Sequence, residues 1–157
     1  MNWKSKEEWE RLKKGVGCPM CADFPLDENK FSFLVTELTT SYVRIPKNQY
    51  YKGWTIVGLK KHANELFELA DEELFKFWKD VSIVSKALYG IYKPAKIDYC
   101  IFGHHCPHIH CHLFIQSYDS DPSLALKPDE KEIFLNDDEY KNMINKLRDE
   151  IGRIKQR

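Results

Sequence analysis

Apolar positions recur on two different periods along this chain, and the switches between them mark its elements. The stretches 31–38, 41–45 and 54–59 are rich in β-branched and aromatic residues and are separated by polar or Pro/Gly-bearing segments such as Pro46-Lys47-Asn48-Gln49, which predicts antiparallel strands. From Asp71 the period lengthens. Leu74, Trp78, Val81, Val84, Leu88 and Ile91 fall on one face of a helix that Gly90 and Pro94 are expected to terminate, and that face should pack across the sheet. Strand character returns over 96–103, and a turn at 103–107 leads into the strongest alternating run, 108–115, so the two should form a hairpin. A polar, proline-bearing connection over 119–132 follows. Asn136 and Glu139 then cap a last helix with Tyr140, Met143, Ile144, Leu147, Ile151 and Ile154 on one side. Near the start, Ser5 and Glu8 have the form of a capping box and open a short helix that stops at Gly15 and Gly17, before a loop carrying Cys18 and Cys21. The sum is an α+β domain, an antiparallel sheet with helices at its face or edges.

Length and charge narrow the options. At 157 residues and 43% apolar composition the chain has the size of one domain with a proper core, so 1–157 is expected to be a single unit. Lys+Arg at 24 balance Asp+Glu at 24, which removes the net positive field that binders of long nucleic acids use, while leaving room for a small anionic ligand held by local donors. No apolar run has the length of a membrane span, and the charged first residues, 1–14, lack the apolar region of a secretory signal, so a cytoplasmic location is expected. Five cysteines, two of them as Cys18-Pro19-Met20-Cys21, point in a reducing compartment to metal binding or redox chemistry. No clear helix start follows Cys18 to depress its pKa, which disfavours the redox option.

Five of the six histidines lie between His104 and His112, and His108, His110 and His112 alternate. On a strand such residues share a face, with imidazoles about 6 to 7 Å apart, while Ile109, Cys111 and Leu113 face the core. Histidine adds little to strand propensity, so the repetition speaks for chemistry: imidazole titrates near neutrality and serves as nucleophile, proton carrier or metal ligand.

The run His108-Ile109-His110-Cys111-His112-Leu113-Phe114 resembles the signature of the histidine-triad superfamily of nucleotide hydrolases and transferases. Cys18-Pro19-Met20-Cys21, Gly53-Trp54-Thr55-Ile56-Val57 before Lys61-His62, the Asp71 helix and Lys96-Ile97-Asp98-Tyr99 follow in the order of its bacterial members, so the resemblance covers about 17–118 and leaves 119–157 as a C-terminal extension. It implies a sheet with a long packed helix, an N-terminal zinc loop and a homodimer. It assigns His110 as the nucleophile that attacks an α-phosphorus, with His112 bonding phosphate oxygens and assisting the leaving group. It implies a structural zinc held by Cys18, Cys21, His62 and His108, the Cys₂His₂ set that tetrahedral zinc prefers. Histidine at the third triad position, where the transferase branch has glutamine, favours hydrolysis of adenosine-type phosphoramidates or dinucleoside polyphosphates.

Three positions depart from the pattern. Asp98 stands where asparagine is frequent, His104 follows Gly103 where asparagine is frequent, and Ile115-Gln116 replaces Pro-Arg, removing a phosphate clamp. His104 can bond phosphate in the asparagine's stead or serve as a turn residue, and Asn48 is a candidate for holding ribose. His105 and Cys106 read as turn residues. Two other accounts remain: a metal-dependent hydrolase with the three histidines as joint ligands, although three in a row span far for bonds of about 2.0 to 2.1 Å, and a non-catalytic, zinc-stabilised nucleotide-binding module.

Overall fold

The computed structural model describes residues 3–121, 123, 126–128 and 130–156; residues 1 and 2 of the charged start, and 122, 124, 125 and 129 of the polar connection, lie outside them. Five strands, β1 (Ser32–Glu37), β2 (Ser41–Pro46), β3 (Thr55–Leu59), β4 (Lys96–Cys100) and β5 (His110–Gln116), form one antiparallel sheet in the order β1-β2-β3-β5-β4. The helices are α1 (Lys6–Lys13), α2 (Pro19–Asp23), α3 (Asp71–Tyr92) and α4 (Asp137–Gln156). The α+β architecture and the β4–β5 hairpin are those expected from the pattern.

α3 carries the chain from β3 to β4 across one face of the sheet, and α4 packs beside it and against β1. Their apolar faces meet Val43, Ile45, Val57, Ile109, Cys111 and Leu113 in one core, to which α4 contributes Leu147 and Ile151. The core stripe of α3 is rotated from the expected one. Phe77 is fully buried beside Val81, Val84 and Leu88, whereas Trp78 keeps 39% of its surface exposed and flanks β4. Asp80 lies on the buried face, where it accepts the Thr40 amide (2.8 Å) and hydroxyl (2.9 Å), which offsets part of its desolvation and ties the helix to the β1–β2 turn. Gly90 does not stop α3. The helix continues to Tyr92 and ends where Lys93 turns left-handed (φ 46°) before Pro94. At α4 the capping box forms in both directions between Asn136 and Glu139.

Three boundaries differ from the pattern in ways that shape the site. β4 stops at Cys100 rather than residue 103, and β5 starts at His110 rather than His108. His108 lies in a bend, its N–H bonded to Cys106 O (2.9 Å), and Ile109 donates its amide to Ala63 O (2.9 Å) and receives Leu59 N–H (3.0 Å), because the chain after β3 curls over them and interrupts the ladder. The Cys18/Cys21 segment is a short helix rather than a plain loop, with Pro19 in the first helical position and Cys18 at its N-cap. That corrects the expectation that no helix follows Cys18.

A buried arginine fastens this helix to the sheet. Arg44 on β2 is fully buried and donates to Phe24 O, Leu26 O, Ser32 O and Ser32 Oγ at 2.6 to 2.9 Å. Burial lowers its pKa, and Asp23 and Asp27 counter that effect. The guanidinium therefore replaces water as the partner of carbonyls at the exit of α2. Arg44→Met keeps the aliphatic stem and strands those carbonyls. We expect a loss of about 3 kcal/mol, or roughly 10 °C in melting temperature, read by urea and thermal unfolding. A variant as stable as the parent contradicts this role.

Candidate active site and metal centre

The face of the sheet opposite α3 carries the chemistry. Cys18, Cys21, His62 and His108 bring one donor atom each to within 4.8 Å of one another. His108 Nδ1 lies 3.4 Å from Cys18 Sγ and 3.5 Å from Cys21 Sγ, and His62 Nδ1 lies 3.4 Å from Cys21 Sγ. The remaining ring nitrogens fix the tautomers. His108 Nε2 is 2.7 Å from Leu59 O and His62 Nε2 is 3.1 Å from Lys13 O; a carbonyl only accepts, so both Nε2 atoms carry hydrogen and both Nδ1 lone pairs face the thiols. Two sulfurs and two oriented imidazole lone pairs, each imidazole backed by a carbonyl, fit a closed tetrahedral zinc site. Hydrogen bonding from Cys106 lowers the pKa of the Cys18 thiol, against the opposing effect of burial.

The other two triad histidines form a separate pair. Their ring centroids are 4.7 Å apart, closer than the strand repeat implies, because the rings lean together edge to face. His110 Nδ1 lies 2.6 Å from His108 O and must donate to it, so the lone pair of His110 sits on Nε2. Trp54 Nε1, a donor only, lies 3.1 Å from His112 Nδ1, so His112 carries its hydrogen on Nε2. One imidazole thus presents a lone pair and its neighbour a hydrogen. Trp54, Phe102 and Phe114 surround the His112 ring with centroids 5.4 to 5.9 Å away. The pattern of histidines did not point to Trp54; its place just before β3, level with Phe114, is the signal that would have.

Similarity to known structures agrees with this architecture. No protein-family sequence model matches the chain, and no curated protein matches it. A histidine triad protein from Marinobacter aquaeolei superimposes with a TM-score of 0.70 at 14% identity, covering 97% of this chain and 98% of that one. The chain has the histidine-triad fold. A histidine triad protein from Bradyrhizobium japonicum superimposes with a TM-score of 0.70 at 22% identity over 78% of this chain and 92% of that one. A Zn-bound histidine triad family protein from Mycobacterium smegmatis does so with a TM-score of 0.64 at 16% identity over 90% and 97%.

Within the histidine-triad fold the remaining candidate residues separate cleanly. His104 is exposed between Trp3 and Phe102, with ring centroids 5.9 Å away on both sides, and Phe102 in turn touches His112. All four hydrogen-bonding positions of the Asn48 amide are taken by backbone groups. Its Nδ2 donates to Pro128 O and Lys131 O, and its Oδ1 accepts Tyr50 N–H and Ile133 N–H, so it anchors the segment before α4. Two of the unusual residues find each other: Gln116 Nε2 donates to Asp98 Oδ2 at 2.7 Å across β4 and β5. Cys106, read as a turn residue, is buried with its Sγ 3.6 Å from Cys18 Sγ. No helix among the described residues is long and apolar enough to cross a membrane.

Burial lowers the pKa of His110 to about 4, and burial followed by repulsion from His110 lowers that of His112 to about 3. Both lie below the unfolded imidazole value of about 6.5, so the unfolded chain binds these protons first. Their contribution to stability is complete above pH 6.5 and is lost as the pH falls through 6.5 toward 4 and 3. The thermal midpoint should therefore drop between pH 7 and pH 5, and less steeply in His112→Asn. An identical slope in that variant contradicts the assignment to His112.

Proposed function

We propose that this chain is a histidine-triad nucleotide hydrolase that cleaves at the α-phosphate of a nucleoside phosphoramidate or dinucleoside polyphosphate through a nucleotidyl-histidine intermediate. The observation that carries the reading is the complementary tautomer pair: His110 with its lone pair on Nε2, His112 with its hydrogen on Nε2, and both neutral near pH 7. Nε2 of His110 attacks the α-phosphorus and the bond to the leaving nitrogen or oxygen breaks. The His112 N–H stabilises charge growing on the phosphate oxygens and supports the leaving group. Water then attacks the same phosphorus, the P–N bond to His110 breaks, and a nucleoside monophosphate leaves.

In this reading the metal centre is structural. Zinc held by Cys18, Cys21, His62 and His108 would fasten α2 and the end of α1 to the entry of β5, and it would fix the His108 backbone whose carbonyl orients His110. Joint coordination by all three triad histidines is disfavoured by their geometry: the donor cluster contains His108, whereas His110 and His112 have their Nδ1 atoms committed to His108 O and Trp54. Keeping these thiols reduced suits a cytoplasmic location. The partner of the polypeptide is a second copy of the chain. β4 is an edge strand, and a groove of about 410 Å³ between it and α3 is lined by the exposed Trp78, Tyr89 and Tyr99. The mass in solution by light scattering tests this, with a monomer contradicting it.

The activity is tested by mixing the zinc-loaded protein with adenosine 5′-phosphoramidate and with diadenosine tetraphosphate and quantifying AMP with and without a strong chelator. Release from at least one substrate that continues, at a reduced rate, in chelator is expected. No release from either supports the alternative of a non-catalytic nucleotide-binding module. Complete loss on chelation with unchanged circular dichroism would make the metal catalytic.

A further inference from the structure

Cys106 is used by neither the histidine pair nor the four-donor cluster. Its Sγ lies 3.6 Å from Cys18 Sγ, and each residue keeps only 3% of its surface exposed. Two sulfurs bound to one tetrahedral zinc at about 2.3 Å stand roughly 3.8 Å apart, so the pair is already spaced as co-ligands. Backbone amides also point at both sulfurs: Met20 N–H at Cys106 and Cys21 N–H at Cys18. A tight turn closed by His108 N–H to Cys106 O (2.9 Å) places Cys106 two residues before His108, so the thiol moves with an established donor of the cluster. A third thiol therefore abuts the four-donor cluster through its contact with Cys18. Among the imidazoles, His62 is the less enclosed, partly exposed where His108 is buried.

We propose that Cys106 is a third thiolate of the metal centre, exchanging with His62 for the fourth coordination position, so that the centre has a Cys₂His₂ and a Cys₃His form. In the exchange the bond from the metal to His62 Nδ1 breaks and a bond to Cys106 Sγ forms. The proton leaving the Cys106 thiol passes to the freed His62 Nδ1 or to water, and no oxidant or reductant is consumed. The centre gains one negative charge, and α1 loses its tether through His62 to Lys13 O.

The test compares wild type, Cys106→Ser, His62→Ala and the double variant, each refolded with cobalt(II) and checked by circular dichroism. Cobalt reports thiolate number through its sulfur charge-transfer absorption and affinity through chelator competition. His62→Ala should keep one equivalent of metal, with charge-transfer intensity about half again that of Cys106→Ser, as three soft thiolates exceed two. The double variant should bind at least about a hundredfold more weakly than either single one. Equal affinity and equal charge-transfer intensity in His62→Ala and the double variant would overturn the proposal. If His62→Ala does not fold, zinc X-ray absorption of the wild type decides. A sulfur count above two that returns to two in Cys106→Ser supports the exchange, and a count of two in both overturns it.

Discussion

Replacing His110 by alanine should lower AMP release by at least about ten-thousandfold, because it removes the atom that forms the covalent intermediate rather than one that stabilises it. The comparison with His112→Asn makes the result specific. Asparagine retains a hydrogen-bond donor but not the imidazole acceptor of Trp54 N–H, so a loss of about a hundred- to a thousandfold is expected, the scale of a misplaced transition-state donor. His110 is 5% exposed and its Nδ1 bonds only a carbonyl at the end of its own segment, so its truncation should leave the protein folded. Steady-state kinetics beside thermal melts separate the two effects. Equal losses in both variants would mean that the pair acts as a unit without a distinct nucleophile.

Removing the metal should produce the largest change in stability. α1 and α2 reach the sheet chiefly through His62, His108, the Arg44 carbonyl contacts and Phe24, whose ring lies where a Cβ on Gly58 would stand, 1.9 Å from its nearest atom. A zinc ion bound there would hold two thiolates together, and chelation would take that charge away. Chelation should cost at least about 3 kcal/mol, the linkage expected at a hundredfold excess of metal over its dissociation constant, or roughly 10 °C in melting temperature. AMP release should fall about tenfold, because His108 O no longer holds His110 in its tautomer and orientation. Added zinc should restore both. An unchanged melting temperature on complete metal removal would contradict a structural site.

Much of this was legible in the sequence because it rests on periodicity. The alternation through β5 set Ile109, Cys111 and Leu113 into the core, and the Asn136–Glu139 capping box marked the start of α4. The misplaced features depend on contacts that no local pattern encodes. Trp78 and Phe77 are adjacent apolar residues, and only the docking angle of α3 decides which one meets the sheet. The separation of His108 from the His110–His112 pair follows from the curl of the chain after β3, which takes His108 out of the ladder. Arg44 reads as an ordinary outward-facing strand residue until carbonyls 18 and 20 positions away arrive to bond it. Asn48 in a Pro-Lys-Asn-Gln turn looks available for a ligand, yet its partners come from 128–133, beyond any local window. Cys106 is the same lesson in reverse: a turn residue by position, but a neighbour of Cys18 across 88 positions.

The central claim is that Nε2 of His110 becomes covalently bonded to phosphorus during turnover. Rapid mixing of the wild-type protein with a hydrolysed adenylyl substrate, quenching in base where phosphoramidates survive, and peptide mass mapping tests it most directly. The account predicts one adenylyl group on the peptide that contains His110, located on that residue by fragmentation and absent in His110→Ala. Steady turnover with no adduct at any quench time, and with inversion of configuration at the α-phosphorus, would contradict it and assign the attack to water.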